Sequence, residues 1–488
     1  MRLDFPQIAA CTGGTLEIAA REAGAPATGL TWDSRELSPG DLYVALPGER
    51  VDGHDFVAAA VRAGASGALV MHPLDDDALA AAREAGAAIV SVPDTARAIE
   101  DLAREWRGHL QGRVIGLTGS TGKTTTKNLV RDVLAAAHSV VATQANQNNE
   151  LGVPKTLLSA DEDTQAVVVE MGMRGLGQIE RLCGVVRPDW GLVTNVGECH
   201  IELLGSRENI ARAKAELLCA LPEGEGIAFL NADNEFSDFM AAHARLEERG
   251  VEAVRFDGSG REPAGGGRAV WAEEVRLDGQ GRPSFTLCAR GFSEDADGAA
   301  VERAACGLSL RGLHNVGNAC SAAAVGRAFG MPLELIAQAL AAAQPESGRQ
   351  EFLESPRGFV VVNDAYNANP DSMRAALSTF CALQVSGRRA AVLGDMGELG
   401  DHAAECHERI GAYAATLPLD RLVCVGELAQ GIADAAERGG MPAGRIVRAA
   451  SVPQALEDVE AWLRPGDAVL VKASHFMELE RVVEGLVH

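Results

Sequence analysis

Apolar runs and glycine-rich turns divide the first part of the chain into stretches with different rhythms. Up to about residue 108, short runs such as LYVAL and GALVM follow turn sequences, which is typical of a small α/β unit. From Arg113 the runs VIGLT, AVVVEMG and WGLVTNVG alternate with segments of helical spacing such as KTTTKNLVRDVLAAA. Apolar runs that end in polar residues are typical of buried parallel strands. We therefore predict a parallel sheet there, with ligands at the carboxyl ends of its strands.

The rhythm changes twice more towards the C-terminus. Residues 256–310 are rich in Gly, Arg and Asp, and their short alternating segments predict hairpins and loops at the edge of the second domain. After residue 345, the strand candidates FVVVNDAY, RRAAVLGDM, RLVCVGE and DAVLVKA are separated by Ala-rich helical stretches, which predicts a doubly wound, Rossmann-like domain. We therefore predict that the 488 residues form an α/β protein with three domains, which span residues 1–108, 109–344 and 345–488.

Composition narrows the classes of function. The chain has 44 basic and 68 acidic residues, a net charge of -24, which argues against a nucleic-acid-binding protein. No apolar run is long enough for a membrane span, and Asp4 and Pro6 interrupt the N-terminus where a signal peptide would be apolar. The ten cysteines form no C-x-x-C pair, as expected of reduced thiols in a cytoplasmic protein.

A phosphate-binding loop is the strongest chemical signal. It comprises Thr118, Gly119, Ser120, Thr121, Gly122, Lys123, Thr124 and Thr125. Its glycines allow backbone N–H groups to face phosphate oxygens, and the following helix adds its positive end. Lys123 can reach the β- and γ-phosphates of ATP, and the Thr124 hydroxyl can ligate Mg²⁺. The generic pattern requires glycine at position 117, where this chain has Leu117, so a plain glycine turn between strand and helix is the alternative.

Acidic or metal-competent residues follow the later strand candidates. Glu170 ends AVVVE, Glu198 and His200 follow VTNVG, and Lys214 and Glu216 lie in the helix-like ENIARAKAELL. Taken singly, each is more simply a helix-end charge, a surface histidine or a solvated residue. Their common position beyond the strand of the phosphate loop favours a site for Mg–ATP.

Longer stretches resemble the Mur ligases of bacterial cell-wall synthesis. The loop TGSTGKTTT is that family's form of the phosphate loop, which accounts for Leu117. NQNNELGVPKTLL (146–158) and TNVGECHIELLGSRENIARAKAEL (194–217) match its central domain, and DSRELSPGDLYVALPGERVDGHDF (33–56) matches its nucleotide-sugar-binding first domain. DAYNANPDSMRAAL (364–377) and VLGDMGELG (392–400) match its third domain, and the Asn-Ala-Asn-Pro stretch is typical of the member that adds a dipeptide. The resemblance covers essentially the whole chain.

The resemblance implies a reaction. The carboxylate of a UDP-N-acetylmuramoyl-tripeptide would attack the γ-phosphate of ATP, giving an acyl phosphate and ADP. The amine of D-alanyl-D-alanine would then displace phosphate, yielding the pentapeptide precursor of peptidoglycan. Domain closure is expected, because an acyl phosphate must be shielded from water. The resemblance also implies a monomer, and it leaves the third residue of the tripeptide open between meso-diaminopimelate and lysine.

The resemblance also implies roles for individual residues. Thr124 and Glu170 would bind one Mg²⁺, His200 would assist a second, and Lys214 would carry a carbamate that serves as an anionic ligand. Together with Lys123, the residues Glu170, His200 and Lys214 would form the catalytic group. ATP would further contact Asn315, Asn318, Arg349 and Asp364. The substrates would contact Ser34, Arg35, Asp52, Gly53, Asn148, Asn149, Asn367 and Asn369.

Some of these assignments have alternatives. Asn315 and Asn318 would serve equally as helix caps, and Asp52-Gly53 as a turn with positive φ. Near the C-terminus, Ala473 and His475 stand where Gly and Arg are common in the family, and a neutral histidine would carry less positive charge than arginine. Two other functions stay open at this point: ligation of another amino acid or a folate, and ATP binding without catalysis.

Overall fold

The computed structural model describes residues 1–22, 25–48, 50–292 and 300–488, and these fold around three β-sheets. Each sheet is built from one of three successive parts of the chain, with helices packed against it. The predicted α/β architecture with a central parallel sheet and a doubly wound C-terminal domain is confirmed.

The first sheet has the strand order β1-β5-β4-β3-β2, with β1 antiparallel to β5 and the other pairs parallel. Its strands are β1 (Thr15–Ile18), β2 (Gly29–Thr31), β3 (Asp41–Val44), β4 (Gly67–Val70) and β5 (Ala88–Ser91). Its helices are α1 (Phe5–Cys11), α2 (Val57–Arg62), α3 (Asp76–Ala85) and α4 (Thr95–Arg107). The predicted runs LYVAL and GALVM are the buried strands β3 and β4.

The second sheet is mostly parallel, with the order β14-β13-β12-β11-β10-β9-β6-β8-β7. Its strands are β6 (Arg113–Thr118), β7 (Val140–Ala142), β8 (Ala166–Glu170), β9 (Trp190–Val193), β10 (Ile227–Asn231), β11 (Glu252–Asp257), β12 (Ala269–Leu277), β13 (Pro283–Arg290) and β14 (Val301–Gly307). Its helices are α5 (Lys123–Ala135), α6 (Gly152–Leu158), α7 (Gln178–Val186), α8 (Ile201–Leu204), α9 (Arg207–Cys219), α10 (Ser237–His243), α11 (His314–Ala328) and α12 (Leu333–Ala342). Strand β6 lies between β8 and β9, so the loops after these three strands meet at one edge.

The Gly- and Arg-rich stretch 256–310 forms the edge of this second sheet. Strand β12 pairs in parallel with β11, and the antiparallel strands β13 and β14 then extend the sheet outwards. The predicted hairpins are therefore present in the described part of this stretch, and residues 293–299 lie outside the described residues.

The third sheet has the order β15-β16-β20-β17-β18-β19, parallel except for the edge strand β15. Its strands are β15 (Glu351–Glu354), β16 (Val360–Asn363), β17 (Arg389–Gly394), β18 (Arg421–Val425), β19 (Ile446–Ala449) and β20 (Ala468–Lys472). Its helices are α13 (Pro370–Ala382), α14 (Ala403–Ala415), α15 (Ala429–Arg438), α16 (Val452–Trp462) and α17 (Glu480–Val487). Short 3-10 helices span Gly53–Phe56, Gly400–His402, Ala443–Arg445 and His475–Met477.

One continuous apolar core connects the three domains. Leu3 of the first domain and Leu157 of the second belong to the same buried cluster as Ile201 of the second and Leu399 of the third. The Trp106 indole at the end of α4 also donates a hydrogen bond to the Ala160 carbonyl, at 2.9 Å. The three domains therefore share buried apolar contacts in this structure. Among the described helices, none is long and apolar enough to cross a membrane.

Candidate functional site

A cavity of about 1420 Å³ lies between the second and third domains. Its walls include the loops after β6, β8 and β9 on one side, and the loops after β16, β17 and β20 on the other. All six loops follow the carboxyl ends of parallel strands, where open α/β sheets bind ligands. We call these two sides the central wall and the C-terminal wall.

The predicted phosphate loop forms part of the central wall. It connects β6 to α5, which begins at Lys123, and its cap residue Gly122 has a φ of +74°. A Cβ at Gly122 would come within 2.7 Å of the Asn318 side chain, and a Cβ at Gly119 would overlap the Thr194 hydroxyl. Both positions therefore require glycine, so the loop is more than a plain turn between strand and helix. Because no side chain caps α5, the N–H groups of its first turn are available to an anion.

Asn195 holds the middle of the phosphate loop. Its carbonyl accepts a hydrogen bond from the Ser120 N–H at 3.0 Å, and its Oδ1 accepts one from the Thr121 N–H at 3.0 Å. Its side-chain amide also donates to the Thr121 hydroxyl at 2.9 Å. No role was predicted for this asparagine, although its position in TNVG, two residues after the carboxyl end of β9, was the available signal.

A lysine and a threonine on α5 also line this part of the cavity, and a second lysine of the same helix is buried. The Lys123 ammonium donates to the Gly119 carbonyl at 2.9 Å, so it lies over the loop. Thr125 also lines the cavity. One turn after Lys123, the buried Lys127 donates to the Ala145 carbonyl at 3.1 Å, and burial lowers its pKa.

Thr124 and Glu170 meet as the sequence predicts for a metal site. The Thr124 hydroxyl lies 3.4 Å from Glu170 Oε1, which also accepts a hydrogen bond from the Asn148 amide at 2.8 Å. Glu170 is 1 % exposed, and among the described residues its Oε2 has no hydrogen-bond partner. A buried carboxylate oxygen without a partner is costly unless a cation or a donor meets it. The residues present therefore fit a hard divalent cation such as Mg²⁺.

His200 lies beside Cys199 and reaches the third domain. Its Nδ1 is 2.6 Å from Glu398 Oε2. Burial lowers the pKa of His200, but the neighbouring Cys199 and Glu398 outweigh it, and the net shift is upward. Burial raises the pKa of Cys199, whereas the His200 ring and the ammonium groups of Lys123 and Lys214 lower it to about 7.

Lys214 lies on α9 and is 1 % exposed. It is not among the residues that line the cavity, and among the described residues it forms no ion pair with a carboxylate. Burial, and then the charge of Lys123, lowers the pKa of the Lys214 ammonium to about 7. The side chain is therefore a buried amine without a counter-ion.

Two of the acidic residues grouped with this site face elsewhere. Glu198 forms an ion pair with Arg409 of the third domain. Glu216 accepts hydrogen bonds from the N–H groups of Gly177, at 2.6 Å, and Glu180, at 3.0 Å, and so caps the start of α7. The expectation that both join the Mg–ATP group is wrong.

The C-terminal wall is built around a buried ion pair. Lys472 Nζ lies 2.7 Å from Asp364 Oδ2, and the same ammonium donates to the Asn367 carbonyl at 2.8 Å. Burial raises the pKa of Asp364, while the positive charge of Lys472 opposes that shift. The Arg349 guanidinium stacks 4.4 Å from the centre of the Tyr366 ring, and both residues line the cavity.

Asn369 is held as the cap of α13. Its side chain accepts a hydrogen bond from the Ser372 N–H at 2.9 Å, and its own N–H donates to the Ser372 hydroxyl at 3.0 Å. Its amide also donates to Cys199 Sγ across the domain boundary, at 3.5 Å. Both Asn367 and Asn369 line the cavity, and the Asn-Ala-Asn-Pro stretch therefore combines a helix start with a place on the C-terminal wall.

Asn315 and Asn318 lie on α11, beside the phosphate loop. The Asn318 amide donates to Asn315 Oδ1 at 2.9 Å, and Asn318 Oδ1 accepts from the Thr126 hydroxyl at 3.2 Å. The helix cap is Leu313, so the alternative that these asparagines cap a helix is wrong. Both residues line the cavity, as their predicted place near the nucleotide requires.

The four predicted residues of the first domain lie apart from this cavity. Ser34 and Arg35 follow β2, Asp52 and Gly53 follow the neighbouring strand β3, and none of the four lines the cavity. The Arg35 guanidinium pairs with Asp33 at 2.6 Å and is largely exposed. Carboxyl ends of neighbouring parallel strands share an edge, so these residues mark one edge of the first sheet.

Asp52 anchors that edge through two histidines. Its Oδ1 lies 2.6 Å from His54 Nδ1, and its Oδ2 lies 3.1 Å from His72 Nε2. Because His54 Nε2 accepts the Met71 N–H at 2.9 Å, the proton of a neutral ring is on Nδ1. Gly53 does not have the positive φ of the predicted turn, so that explanation is wrong. Glycine is needed because a Cβ would come within 2.7 Å of the Leu46 backbone.

The edge of the first sheet connects to the cavity through α6. The Lys155 ammonium on α6 lies 4.7 Å from the centre of the Trp32 ring and 3.7 Å from Glu36. Just before α6, Asn149 Oδ1 accepts the Gly152 N–H at 2.9 Å, and both Asn148 and Asn149 line the cavity.

Three domain models of one family match successive parts of the chain. The model of the Mur ligase family, catalytic domain, matches residues 26–107. The Mur ligase middle domain matches residues 117–326, and the Mur ligase, glutamate ligase domain, matches residues 348–475.

Whole-chain relatives belong to the same family. A UDP-N-acetylmuramoyl-tripeptide--D-alanyl-D-alanine ligase from Mycobacterium tuberculosis is 39% identical, covering 100% of this chain and 98% of the relative. The crystal structure of MurF from Acinetobacter baumannii has a TM-score of 0.82 at 29% identity and covers 100% of this chain and 99% of that one. The MurF ligase from Thermotoga maritima in complex with ADP has a TM-score of 0.72 at 27% identity and covers 94% and 97%.

Proposed function

The chain belongs to the Mur ligase family, and on this premise we propose that it joins D-alanyl-D-alanine to UDP-N-acetylmuramoyl-tripeptide. The reaction converts ATP to ADP and phosphate and forms the pentapeptide precursor of peptidoglycan. The observation that carries this proposal is the cavity itself. It brings the phosphate loop, the partly unpartnered Glu170 and the Asn-Ala-Asn-Pro stretch together between two domains.

In this proposal, the central wall binds the phosphates of ATP. The N–H groups at the start of α5 face the phosphate oxygens, and Lys123 neutralises charge on the β- and γ-phosphates. Thr124 and Glu170 would hold Mg²⁺, with His200 directed at a second ion. Bound there, the metal ions would neutralise phosphate charge and favour transfer of the γ-phosphoryl group.

The C-terminal wall and α11 would bind the rest of the nucleotide and the dipeptide. Asn315 and Asn318 lie beside the phosphate loop and would contact the adenine, and Arg349, which lines the cavity, would offer its guanidinium to the phosphates. Asp364 would meet the ribose, and Asn367 and Asn369 would lie near the nucleotide or the dipeptide. Closure of the two walls would exclude water from the acyl phosphate, which hydrolysis would otherwise destroy.

The first domain would bind the nucleotide sugar. Ser34, Arg35, Asp52 and Gly53 mark the edge of its sheet, and α6 leads from that edge to Asn148 and Asn149 in the cavity. This arrangement lets a long substrate bind at its UDP end in the first domain and react at its peptide end in the cavity. We propose a cytoplasmic monomer as the working form.

Lys214 would carry the carbamate. A neutral amine and CO₂ combine to give a carbamate and a proton, which replaces a buried cation without a counter-ion by an anionic oxygen ligand. Labelling with ¹³C-bicarbonate should give a carbamate signal that disappears in Lys214→Arg. The control is Lys127→Met, which removes the buried lysine of α5. The Lys127 ammonium donates a hydrogen bond to the Ala145 carbonyl, so we expect no carbamate there, and the Lys127→Met protein should keep the signal. An active enzyme without the signal would refute the modification.

The decisive assay measures phosphate release with each substrate present or omitted. Release that requires ATP, UDP-N-acetylmuramoyl-tripeptide and D-alanyl-D-alanine together supports the proposal. Release with a single amino acid or a folate in place of the dipeptide would identify a different ligase of this fold. ATP binding without release under any combination would indicate a protein that binds without catalysis. Tripeptides ending in meso-diaminopimelate and in lysine are assayed in parallel.

A further inference from the structure

Glu398 of the third domain reaches the central wall. Its Oε2 lies 2.6 Å from His200 Nδ1, and its Oε1 lies 3.3 Å from Arg174 Nε. Arg174 and His200 lie on the loops after β8 and β9 of the second domain. One carboxylate thus connects both walls at a residue that the proposed function assigns to a metal ion.

The loop that carries Glu398 is fixed within the third domain. Asp395 Oδ1 accepts the Ala429 N–H at 2.7 Å. The Met396 N–H donates to His407 Nε2 at 2.9 Å, and the Gly397 N–H donates to the Ser474 hydroxyl at 2.9 Å. The position of the Glu398 carboxylate is therefore set by the third domain, so it arrives at His200 only when the two domains are together.

Both residues in this contact have a left-handed backbone. The φ of Glu398 is +59° and that of His200 is +64°. Such a conformation is strained for a non-glycine residue. Strained residues of this kind persist where the surroundings hold them, often at functional sites. Two of them facing each other across a domain boundary indicate that this contact has a role beyond packing.

We infer that Glu398 is a positioning residue that holds the His200 ring with its proton on Nδ1 when the domains close. The inference rests on the proposed function, because it requires His200 Nε2 to serve the metal–nucleotide site. A carboxylate that accepts the Nδ1 proton leaves the Nε2 lone pair free, which is the usual support of a metal-binding histidine.

In this structure the carboxylate lies near Nδ1 but off the axis of its N–H bond, so no hydrogen bond is formed. Rotation of the imidazole about Cβ–Cγ, a soft torsion in histidine, would bring the N–H bond towards the carboxylate. Hydrogen bonds at active sites commonly tighten in this way when the ligands bind. Arg174 pairs with the second carboxylate oxygen of Glu398 at 3.3 Å.

The first test reads the tautomer directly. The sample is ¹⁵N-histidine-labelled protein with ADP and Mg²⁺, which is diamagnetic and therefore suits NMR. In it, His200 should show a protonated Nδ1 and an unprotonated Nε2. His200→Asn assigns its signals. Glu398→Ala should shift the ring towards protonation of Nε2, and Glu398→Gln, which keeps a carbonyl acceptor, should restore part of the original pattern.

The second test measures Mn²⁺ affinity by electron paramagnetic resonance in the presence of ADP. We expect Glu398→Ala to weaken Mn²⁺ binding about 10- to 100-fold, the usual effect of removing a residue that supports a metal ligand. The matched control is Arg409→Ala, which breaks a different ion pair between the same domains, to Glu198, and leaves the contacts of Glu398 with His200 and Arg174 in place. It should change Mn²⁺ affinity less than twofold.

Two results would overturn the inference. One is a Glu398→Ala protein with the tautomer and Mn²⁺ affinity of the unsubstituted chain. The other is an Arg409→Ala protein that loses as much affinity as Glu398→Ala, because domain docking alone would then explain the effect. Neither measurement uses the tripeptide or the dipeptide. If the ligation assay fails while the His200 tautomer and the Mn²⁺ affinity respond to Glu398→Ala as expected, the proposed substrates are refuted and the role of Glu398 is not.

Discussion

The two walls of the cavity are held by different forces. On the central wall, Asn195 and Thr121 exchange neutral hydrogen bonds, and the Thr194 hydroxyl donates to the Thr121 carbonyl at 2.7 Å. The C-terminal wall depends on the buried pair of Lys472 and Asp364. A neutral network loses stability in steps of about 1 kcal/mol per bond, whereas a buried ion pair that loses one partner leaves a desolvated charge. The phosphate cradle is thus the more tolerant wall and the C-terminal wall the more fragile.

The largest expected effect tests the fragile wall. Lys472→Met leaves Asp364 buried and unpaired, and should lower the free energy of unfolding by about 3–5 kcal/mol. Urea unfolding of the full chain followed by circular dichroism measures this. Asp364→Asn added to Lys472→Met removes the stranded charge and should recover most of the loss. If the double variant is no more stable than Lys472→Met, the wall is not held by this pair.

The next effect is on catalysis and leaves the central wall folded. Within the described part of the chain, the Lys123 ammonium donates hydrogen bonds to loop carbonyls and forms no ion pair, so Lys123→Ala should change the thermal midpoint little. It should lower kcat/KM about 10²- to 10³-fold, because it removes a preorganised charge from the transferring phosphoryl group. Phosphate release measures the rate. Ligation at the normal rate would exclude the assignment of the loop.

A smaller effect is expected from the neutral network. Asn195→Ala removes the acceptor of the Thr121 N–H and the donor to the Thr121 hydroxyl, and should cost about 1–2 kcal/mol of unfolding free energy. The same urea experiment measures it. Asn195→Asp keeps the acceptor and should lose less. If Asn195→Ala lowers the free energy of unfolding as much as Lys472→Met does, the two walls do not differ in how they tolerate substitution.

The smallest effect concerns pH and the loop of Glu398. Burial lowers the pKa of His407, whose Nε2 accepts the Met396 N–H. As the pH falls below about 6.5, the unfolded chain takes up this proton before the folded one, so stability falls with pH, by at most about 1.4 kcal/mol per pH unit. His407→Gln should flatten that slope in thermal melts between pH 7 and 5. An unchanged slope would show that His407 does not set it.

The strands that the sequence predicts are those whose own residues form an uninterrupted apolar run. Strands β16, β17, β18 and β20 are central or nearly so, and their uninterrupted apolar runs are buried on both faces. The edge strands β15 and β19 have the short, half-exposed sequences EFLE and IVRA, and no prediction included them. An edge strand buries little apolar surface, so its sequence carries a weak pattern.

The same limit applies to the candidate site. The phosphate loop is contiguous, and the structure brings Thr124 and Glu170 together as predicted. The prediction for Glu216 was wrong because residues two positions apart on an α-helix are rotated by about 200° about its axis. Glu216 therefore points away from Lys214. Glu398 and the partnership of Lys472 with Asp364 depend on which loops meet in the folded chain, and no local pattern reports that.

The separation of the first-domain edge from the cavity has a consequence for substrate selection. If Ser34 and Asp52 bind the nucleotide end of the substrate while the reaction occurs in the cavity beyond Asn148, the distance between these two places selects substrates by their length. Binding energy gained at a remote end can be used to align the reacting end, so truncated substrates lose turnover as well as affinity. A peptide of the right sequence without its nucleotide would then be recognised by the cavity and yet react slowly.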